Sequence, residues 1–333
     1  MNENKFKIMG IFGSGRSGTS WLGSIVSSHP EVVYRFEPFH GLRNNEKIKY
    51  FLNLFKSGKF EAKYLKELYL TLLPANPWFE EPPFFQKRYA TRSKKGKIFF
   101  YYLAKKITLL SKFYEWNFSP LDFPILAFKE AHMEVILEQL VTKTNIPIVY
   151  ILRHPCAVVQ SYNVGHKKGI MPAGREIILE DLLQQQNPSL AKKFEGKIKQ
   201  MSLTEKTALL WYMDTERAFH AITNRQNVKI IIYENLCREP QKVVNEVFQH
   251  FGLNFPNQTI SFLKNPLAFS SKIDIVIDYL LKRGSYYLVY KNSKIASEKW
   301  RYLLSSSDRK RILDLVSDSI AFTYGTTFGK WVH

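Results

Sequence analysis

Residues 13–21 read Gly-Ser-Gly-Arg-Ser-Gly-Thr-Ser-Trp. From Gly13 the spacing is glycine, four residues, Gly18, Thr19, Ser20. That is the pattern of a phosphate-binding loop with Thr19 in the place of its lysine. Turn N–H groups and the start of a following helix form an anion hole, which the helix dipole reinforces. Ser17, Thr19 and Ser20 add hydroxyl donors, and Arg16 adds a charged fork ahead of Gly18. In nucleotide-hydrolysing loops the lysine reaches the β- and γ-phosphates, and an aspartate at a strand end supports Mg²⁺. Here the apolar runs end in "AFKEAH", "YILRHP" and "IIYENL". None ends in aspartate, and Glu234 is the nearest substitute. ATP cleavage is therefore disfavoured.

A second cationic motif is "RHPCAVVQSY". Arg153 follows the apolar run 146–152, at the strand end where doubly wound sheets bind ligands. Ser161 comes eight residues later, and the intervening helical turns return it to the same crevice. An arginine with a serine there suits a second, separate phosphate.

The elements that must position these residues alternate. Residues 7–12 form a short strand, and Thr19–Ser28 has apolar positions at helical spacing. "EVVYRFEPFH" contains a second strand, and residues 44–116 form a helical, aromatic-rich insertion broken at 74–85. A third strand covers 124–128, ending near Lys129, with a helix from about His132 to Lys143. Residues 146–155 form the most apolar strand. Pro155 starts a helix expected to reach Tyr162 and stop before Gly165. Residues 166–200 read as a polar, irregular and mobile excursion. A long helix over 203–224, a strand over 227–236, a helix over 240–251 and a mostly helical tail from Lys264 complete the chain. Strands alternating with helices predict an α/β protein: one domain over 1–333, a doubly wound, mainly parallel sheet flanked by helices, P-loop NTPase-like.

The 333 residues carry a net charge of +19 and are 45% hydrophobic, enough for a sizeable core. Such basicity points to an anionic partner. No nucleic-acid recognition motif is visible. The two cysteines, Cys156 and Cys237, form neither a metal-ligand spacing nor a disulfide framework, so the expected setting is a reducing cytoplasm. The N-terminal apolar run is too short for a signal peptide. "KIFFYYLAKKITLLSKFYEW", residues 97–116, is interrupted by lysines, and reads as an amphipathic helix that is buried or lies on a membrane surface.

"GSGRSGTSW" and "RHPCAVVQSY" together resemble the two cofactor motifs of the PAPS-dependent sulfotransferases. The resemblance implies that the first holds the 5′-phosphosulfate of 3′-phosphoadenosine 5′-phosphosulfate (PAPS), and the second its 3′-phosphate. Cofactor-binding residues would be Gly15, Arg16, Ser17, Gly18, Thr19, Ser20, Trp21, Arg153 and Ser161. "IIYENLCREP" is similar to the family's strand ending in Tyr-Glu-x-Leu, which implies Tyr233 near the adenine. "ASEKWRYLLS" resembles its late Trp-Arg segment and implies Trp300 and Arg301 over the nucleotide. Arginine before Ser-Gly-Thr resembles the carbohydrate and tyrosylprotein branches, where a glutamate placed like Glu37 is the base. The small-molecule branch has a catalytic histidine near His132, although Glu130 and Ala131 shift the spacing here, and a helix-capping histidine is the simpler reading. Lys129 stands where the family has a lysine supporting the leaving oxygen. A sulfuryl group carries one charge fewer than a γ-phosphoryl, so hydrogen bonds and one or two cations suffice without a metal. The implied reaction transfers sulfate from PAPS, leaving PAP, to a hydroxyl, most simply of a carbohydrate or glycolipid. A degenerate P-loop kinase and a polyanion-binding protein are the alternatives.

Overall fold

The computed structural model describes residues 6–41, 45–169, 171, 174–269 and 297–331. Five strands, β1 (Ile8–Gly13), β2 (Val32–Phe36), β3 (Ile125–Ala131), β4 (Ile148–Leu152) and β5 (Val228–Ile232), form one sheet in the order β2-β3-β1-β4-β5. Every pairing is parallel. Such a sheet is covered on both faces, which is why β1 and β4 read as unbroken apolar runs rather than alternating ones. Successive side chains still separate by face. Ile8, Phe12, Phe128, Ile148, Tyr150 and Leu152 pack into one core, while Met9, Ile11, Ala127, Val149 and Ile151 pack into the other.

The first face is covered by the helices Pro155–Lys167 and Leu203–Ile222, hereafter the Pro155 and Leu203 helices. The second is covered by α1 (Thr19–Ser27) and the helix Pro240–His250. From β1 the chain moves outward to β2, back to β3, and then to β4 on the opposite side of β1. The order therefore reverses beside β1, which places the ligand crevice at the C-terminal ends of β1 and β4.

Several boundaries differ from expectation, each for a local reason. β3 continues through Ala131 because its register with β1 persists to Gly13↔Ala131. Lys129 is therefore inside the strand, opposite Phe36, rather than at its end. The Pro155 helix does not stop before Gly165. It runs to Lys167 and turns at Gly169, whose φ is +63°. β5 stops at Ile232, so Tyr233 and Glu234 begin a short helix, Tyr233–Arg238, instead of prolonging the strand. The stretch 166–200, read as irregular, contains the helices Leu179–Gln186 and Pro188–Lys193, the second started by Pro188 and capped by Asn187. The tail is helical over Trp300–Leu303, Ser306–Val316 and Ile320–Gly329, and its portion 270–296 lies outside the described residues.

The insertion after β2 is fastened to the sheet by a buried cluster. Arg35 of β2 donates to the carbonyls of Leu72 (2.7 Å) and Pro74 (3.0 Å) and pairs with Glu80. Glu80 also pairs with Lys97 at 2.9 Å and accepts from the Tyr114 hydroxyl at 2.6 Å.

Candidate active site

The C-terminal ends of all five parallel strands lie along one edge of the sheet, and the residues that follow them touch in turn. β1 leads into the glycine loop, β2 into Glu37, β3 into His132, β4 into Arg153 and β5 into Tyr233.

The loop is shaped by three tight approaches. A Cβ on Gly15 would run into His132 and Tyr162, and one on Gly18 into the Tyr233 ring. Gly18 also has φ +99°, a conformation open mainly to glycine. Arg16 takes φ +65°, which an arginine adopts only at a cost of about 1–2 kcal/mol. Among the described residues five non-glycine positions have positive φ, and Arg16, Glu37 and His132 are three of them. Backbone strain is thus concentrated where the ligand crevice lies.

The two cationic motifs are joined directly. Arg16 Nε donates to Ser161 Oγ at 3.1 Å, and Arg153 Nη1 donates to the Arg16 carbonyl at 2.8 Å. The Arg153 guanidinium lies 4.3 Å from the Tyr233 ring centroid, and Trp21 meets that ring edge-on at 6.0 Å. Arg16, Ser161, Arg153, Tyr233 and Trp21 therefore form one continuous wall. Thr19 is buried and Ser20 half-buried at the start of α1, whose cap position, Gly18, offers no side chain to its N–H groups.

Trp300 is placed less directly. It is buried, stacked on His154 at 4.3 Å and 13°, with the Arg301 guanidinium 4.8 Å from its ring. It stacks on the residue beside Arg153, not on an open face of the crevice. Glu234, the nearest thing to a metal-supporting carboxylate, has both oxygens engaged: Oε1 accepts from the His154 backbone N–H (3.2 Å) and Oε2 from Trp331 Nε1 (3.1 Å).

Glu37 leaves the end of β2. Its N–H donates to the Lys129 carbonyl at 2.8 Å, which continues the strand pairing, and its φ of +46° then turns the chain. The Lys129 ammonium donates to Glu37 Oε1. Burial pushes the Glu37 carboxyl up, but the adjacent Lys129 charge and its hydrogen bond, with His40 and His132 beyond, outweigh burial. They hold it below the ordinary carboxylate range. Lys129 is fully buried along its stem and also sits 4.3 Å from the Phe36 ring centroid. Glu130, its neighbour, stabilises the turn: it accepts from the Phe39 N–H at 2.7 Å and lies 2.8 Å from His40 Nδ1.

His132 does not cap a helix. The helix Glu134–Lys143 starts after Met133, and His132 has φ +56°, turned toward the loop. Its Nε2 lies 2.8 Å from the Tyr162 hydroxyl. Its Nδ1 lies 2.7 Å from Asp214 Oδ2 and 2.6 Å from Arg175 Nη1. With the proton on Nδ1 it donates to Asp214 and accepts from Tyr162; with the proton on Nε2 the roles reverse and Nδ1 accepts from Arg175. Burial holds this imidazole below its ordinary range, against the opposing pull of Asp214. Arg175 forms a fork on Asp214, at 2.7 and 2.6 Å, and thereby holds that buried carboxyl well down despite desolvation.

His132, Glu134 and Asp214 bring ligand atoms within 4.8 Å of one another, but the Arg175 guanidinium already supplies the positive charge there.

Arg175, Asp214 and Tyr162 were not singled out from sequence. Asp214 had a signal: an acid inside "ALLWYMDT" on a long amphipathic helix must find a partner when buried. Tyr162 directly follows Ser161 in the second cationic motif. Arg175 sits in a polar stretch without pattern and gave none.

A five-stranded parallel sheet with a lysine-free glycine loop after β1 and an arginine at the end of the adjacent β4 defines an α/β protein of the P-loop NTPase-like fold. The pattern of the sulfotransferase domain family matches residues 9–272. The chain belongs to the sulfotransferase family. No curated protein matches it at the level of sequence. Among solved structures it is similar to the sulfotransferase domain from the curacin biosynthetic pathway, at 13% identity over 94% of this chain and 98% of that one, TM-score 0.47. It is similar also to the sulfotransferase domain of the Synechococcus PCC 7002 olefin synthase, at 16% identity over 95% and 96%, TM-score 0.44. Mouse sulfotransferase SULT7A1 complexed with PAP is similar at 11% identity over 98% and 89%, TM-score 0.45.

Proposed function

We propose that this sulfotransferase uses PAPS as donor and a carbohydrate or glycolipid hydroxyl as acceptor. The observation that supports the donor is the contact of Arg16 with Ser161, which joins the glycine loop to the second cationic motif, so that the two would hold the two anionic groups of one ligand. The donor set fits a ligand with two separated anionic groups. Ser14 Oγ and Ser17 Oγ are buried in the loop without a hydrogen-bond partner among the described residues. Gly15 and Gly18 keep the loop free of side chains where it passes His132, Tyr162 and Tyr233.

Arg16, Ser17, Gly18, Thr19 and Ser20 would hold the phosphosulfate end, and Arg153 with Ser161 the 3′-phosphate. Trp21 and Tyr233 would flank the base, with Arg301 on the outer side. When bound, PAPS supplies the sulfuryl group and leaves as PAP. Glu37 takes the proton of the acceptor hydroxyl. Protonation of Glu37 dissolves its ion pair with Lys129, and the freed ammonium then faces the negative charge that develops in the crevice. The base and the electrostatic support are thereby coupled in one pair of side chains. Both nitrogens of His132 are engaged, which favours a role in fixing the loop over proton transfer.

The test is transfer of labelled sulfate from PAPS to a panel of polysaccharides, glycolipids, phenols and tyrosyl peptides. Label on a sugar-bearing acceptor is the expected result. Intact protein that binds PAP yet labels nothing overturns the reading, and ADP formed from ATP with Mg²⁺ would favour a kinase.

A further inference from the structure

The crevice does not account for an apolar surface on the insertion after β2. Helices Lys97–Ala104 and Thr108–Phe118 are joined by three residues and lie side by side. One side of the pair is a small core of Ala75, Tyr101, Ala104, Tyr114 and Phe118. The other side meets solvent. Leu109, Phe113 and Trp116 recur at i, i+4 and i+7, a single stripe on the second helix. Leu109 is 76% exposed, Trp116 57% and, on the first helix, Phe99 54%. Phe100 links the two rows, 5.5 Å from Phe99 and 5.0 Å from Phe113. Large apolar side chains gathered on one outward face mark an interaction surface.

Charge identifies the partner. Between Arg92 and Trp116 there are seven basic residues and one acid, Glu115. Lys94, Lys95, Lys106 and Lys112 are exposed, and the Arg92 guanidinium lies over the Trp116 ring at 4.8 Å. No described helix is long and apolar enough to cross a membrane. Aromatic residues rimmed by lysines, on helices too short to span, match the chemistry of an anionic lipid surface. A second copy of the chain is disfavoured, because a self-complementary contact would set these like charges against each other.

We infer that the helix pair 97–118 docks this protein on anionic phospholipid bilayers, with Phe99, Leu109, Phe113 and Trp116 entering the interface and Lys106 and Lys112 facing headgroups. The surface is held rigidly: Lys97 and Tyr114 bind Glu80, which pairs with Arg35 of β2, two residues before Glu37. The inference stands apart from the donor and acceptor reading, since docking requires no turnover.

The experiment is flotation of the full chain with phosphatidylcholine vesicles, with and without phosphatidylglycerol. Two exposed-site variants are compared, Leu109→Ser/Trp116→Ser and Lys106→Glu/Lys112→Glu, with sedimentation velocity run in parallel. Wild type is expected to float only with the phosphatidylglycerol vesicles, and less in high salt. Each variant is expected to bind roughly tenfold more weakly while keeping its melting temperature. Wild type that stays with the soluble fraction, or variants that float like wild type, overturn the proposal. So does a dimer without vesicles that Leu109→Ser/Trp116→Ser converts to monomer. A transfer assay that fails while flotation succeeds counts against the donor reading alone.

Discussion

Arg153 donates from Nη1 to the backbone carbonyl of Arg16, at 2.8 Å, so the strand-end cation of one motif is a structural strut of the other. Two guanidinium groups that share a wall repel each other unless an anion lies between or beside them. The geometry is therefore one in which ligand charge stabilises the loop as well as the reverse.

Replacing either arginine is expected to weaken PAP binding, but unequally. Arg16→Ala removes one charged donor and its bond to Ser161. A charge-assisted hydrogen bond is worth about 1.5–3 kcal/mol, which corresponds to a loss of roughly 10- to 150-fold. Arg153→Ala removes a donor and the strut, so the loss should be greater, and Arg153→Lys should recover little of it because a point charge does not replace the fork. Titration calorimetry with PAP decides the order. Unchanged affinity in both alanine variants would mean that the two motifs do not share a ligand.

Glu37→Gln separates binding from proton transfer. Glutamine keeps the shape and loses the base, so PAP affinity should hold while kcat falls by about 10²–10⁴. The pH profile adds a second criterion. The Glu37 carboxyl is held below the ordinary carboxylate range, so a reaction that uses it is lost only as pH falls through that low region. A reaction that used His132 would lose rate earlier, just below the ordinary imidazole range. An acid limb near that imidazole range, retained in Glu37→Gln, would reassign the base.

The sequence made the sheet legible because its parallel strands are covered on both faces and read as apolar runs bounded by glycine, proline or charge. It made the phosphate loop legible because glycine spacing is a backbone requirement rather than a tertiary one. Helical periodicity after Pro155 returned Ser161 to the crevice, but its direct contact with Arg16 did not follow, because the sequence grouped Ser161 with Arg153. The His132 surroundings did not follow, because Asp214, Arg175 and Tyr162 come from three separate segments and only packing brings them together. The position of Lys129 was missed by the same kind of limit: β3 extends through a lysine and a glutamate because Glu37, His40 and the Phe39 N–H satisfy them, and no single-chain pattern shows that in advance.

Gly18→Ala tests whether the loop must pass under Tyr233. The substitution adds a Cβ that meets the Tyr233 ring and places a side chain at φ +99°. A loss of about 1–3 kcal/mol in stability is expected, with loss of PAP binding. Part of the Gly18→Ala cost should be recovered when the substitution is measured in a Tyr233→Ala background instead of wild type, because the steric share of the cost is gone there. If thermal melts show no such recovery, the backbone conformation alone sets the requirement.

Glu134 provides a prediction about pH and stability. Burial, followed by the nearby Asp214 charge, raises its carboxyl from the ordinary 4.5 to about 8. Between those two values the folded protein retains a proton that the unfolded chain has released. Stability from this group is therefore present below the unfolded value and is lost as pH rises toward 8. Glu134→Gln is neutral at every pH and lacks this loss. Wild type and variant should melt together near pH 4.5, and the variant should become progressively more stable above it. At about 1.36 kcal/mol per pH unit, the rise from 4.5 to about 8 sets an advantage of up to about 5 kcal/mol at pH 8.5. Asp214 and its Arg175 fork are common to both proteins, so the difference between their melting curves isolates Glu134. A constant offset across the range would show that Glu134 is ionised in the folded state, with Arg175 balancing two carboxylates instead of one.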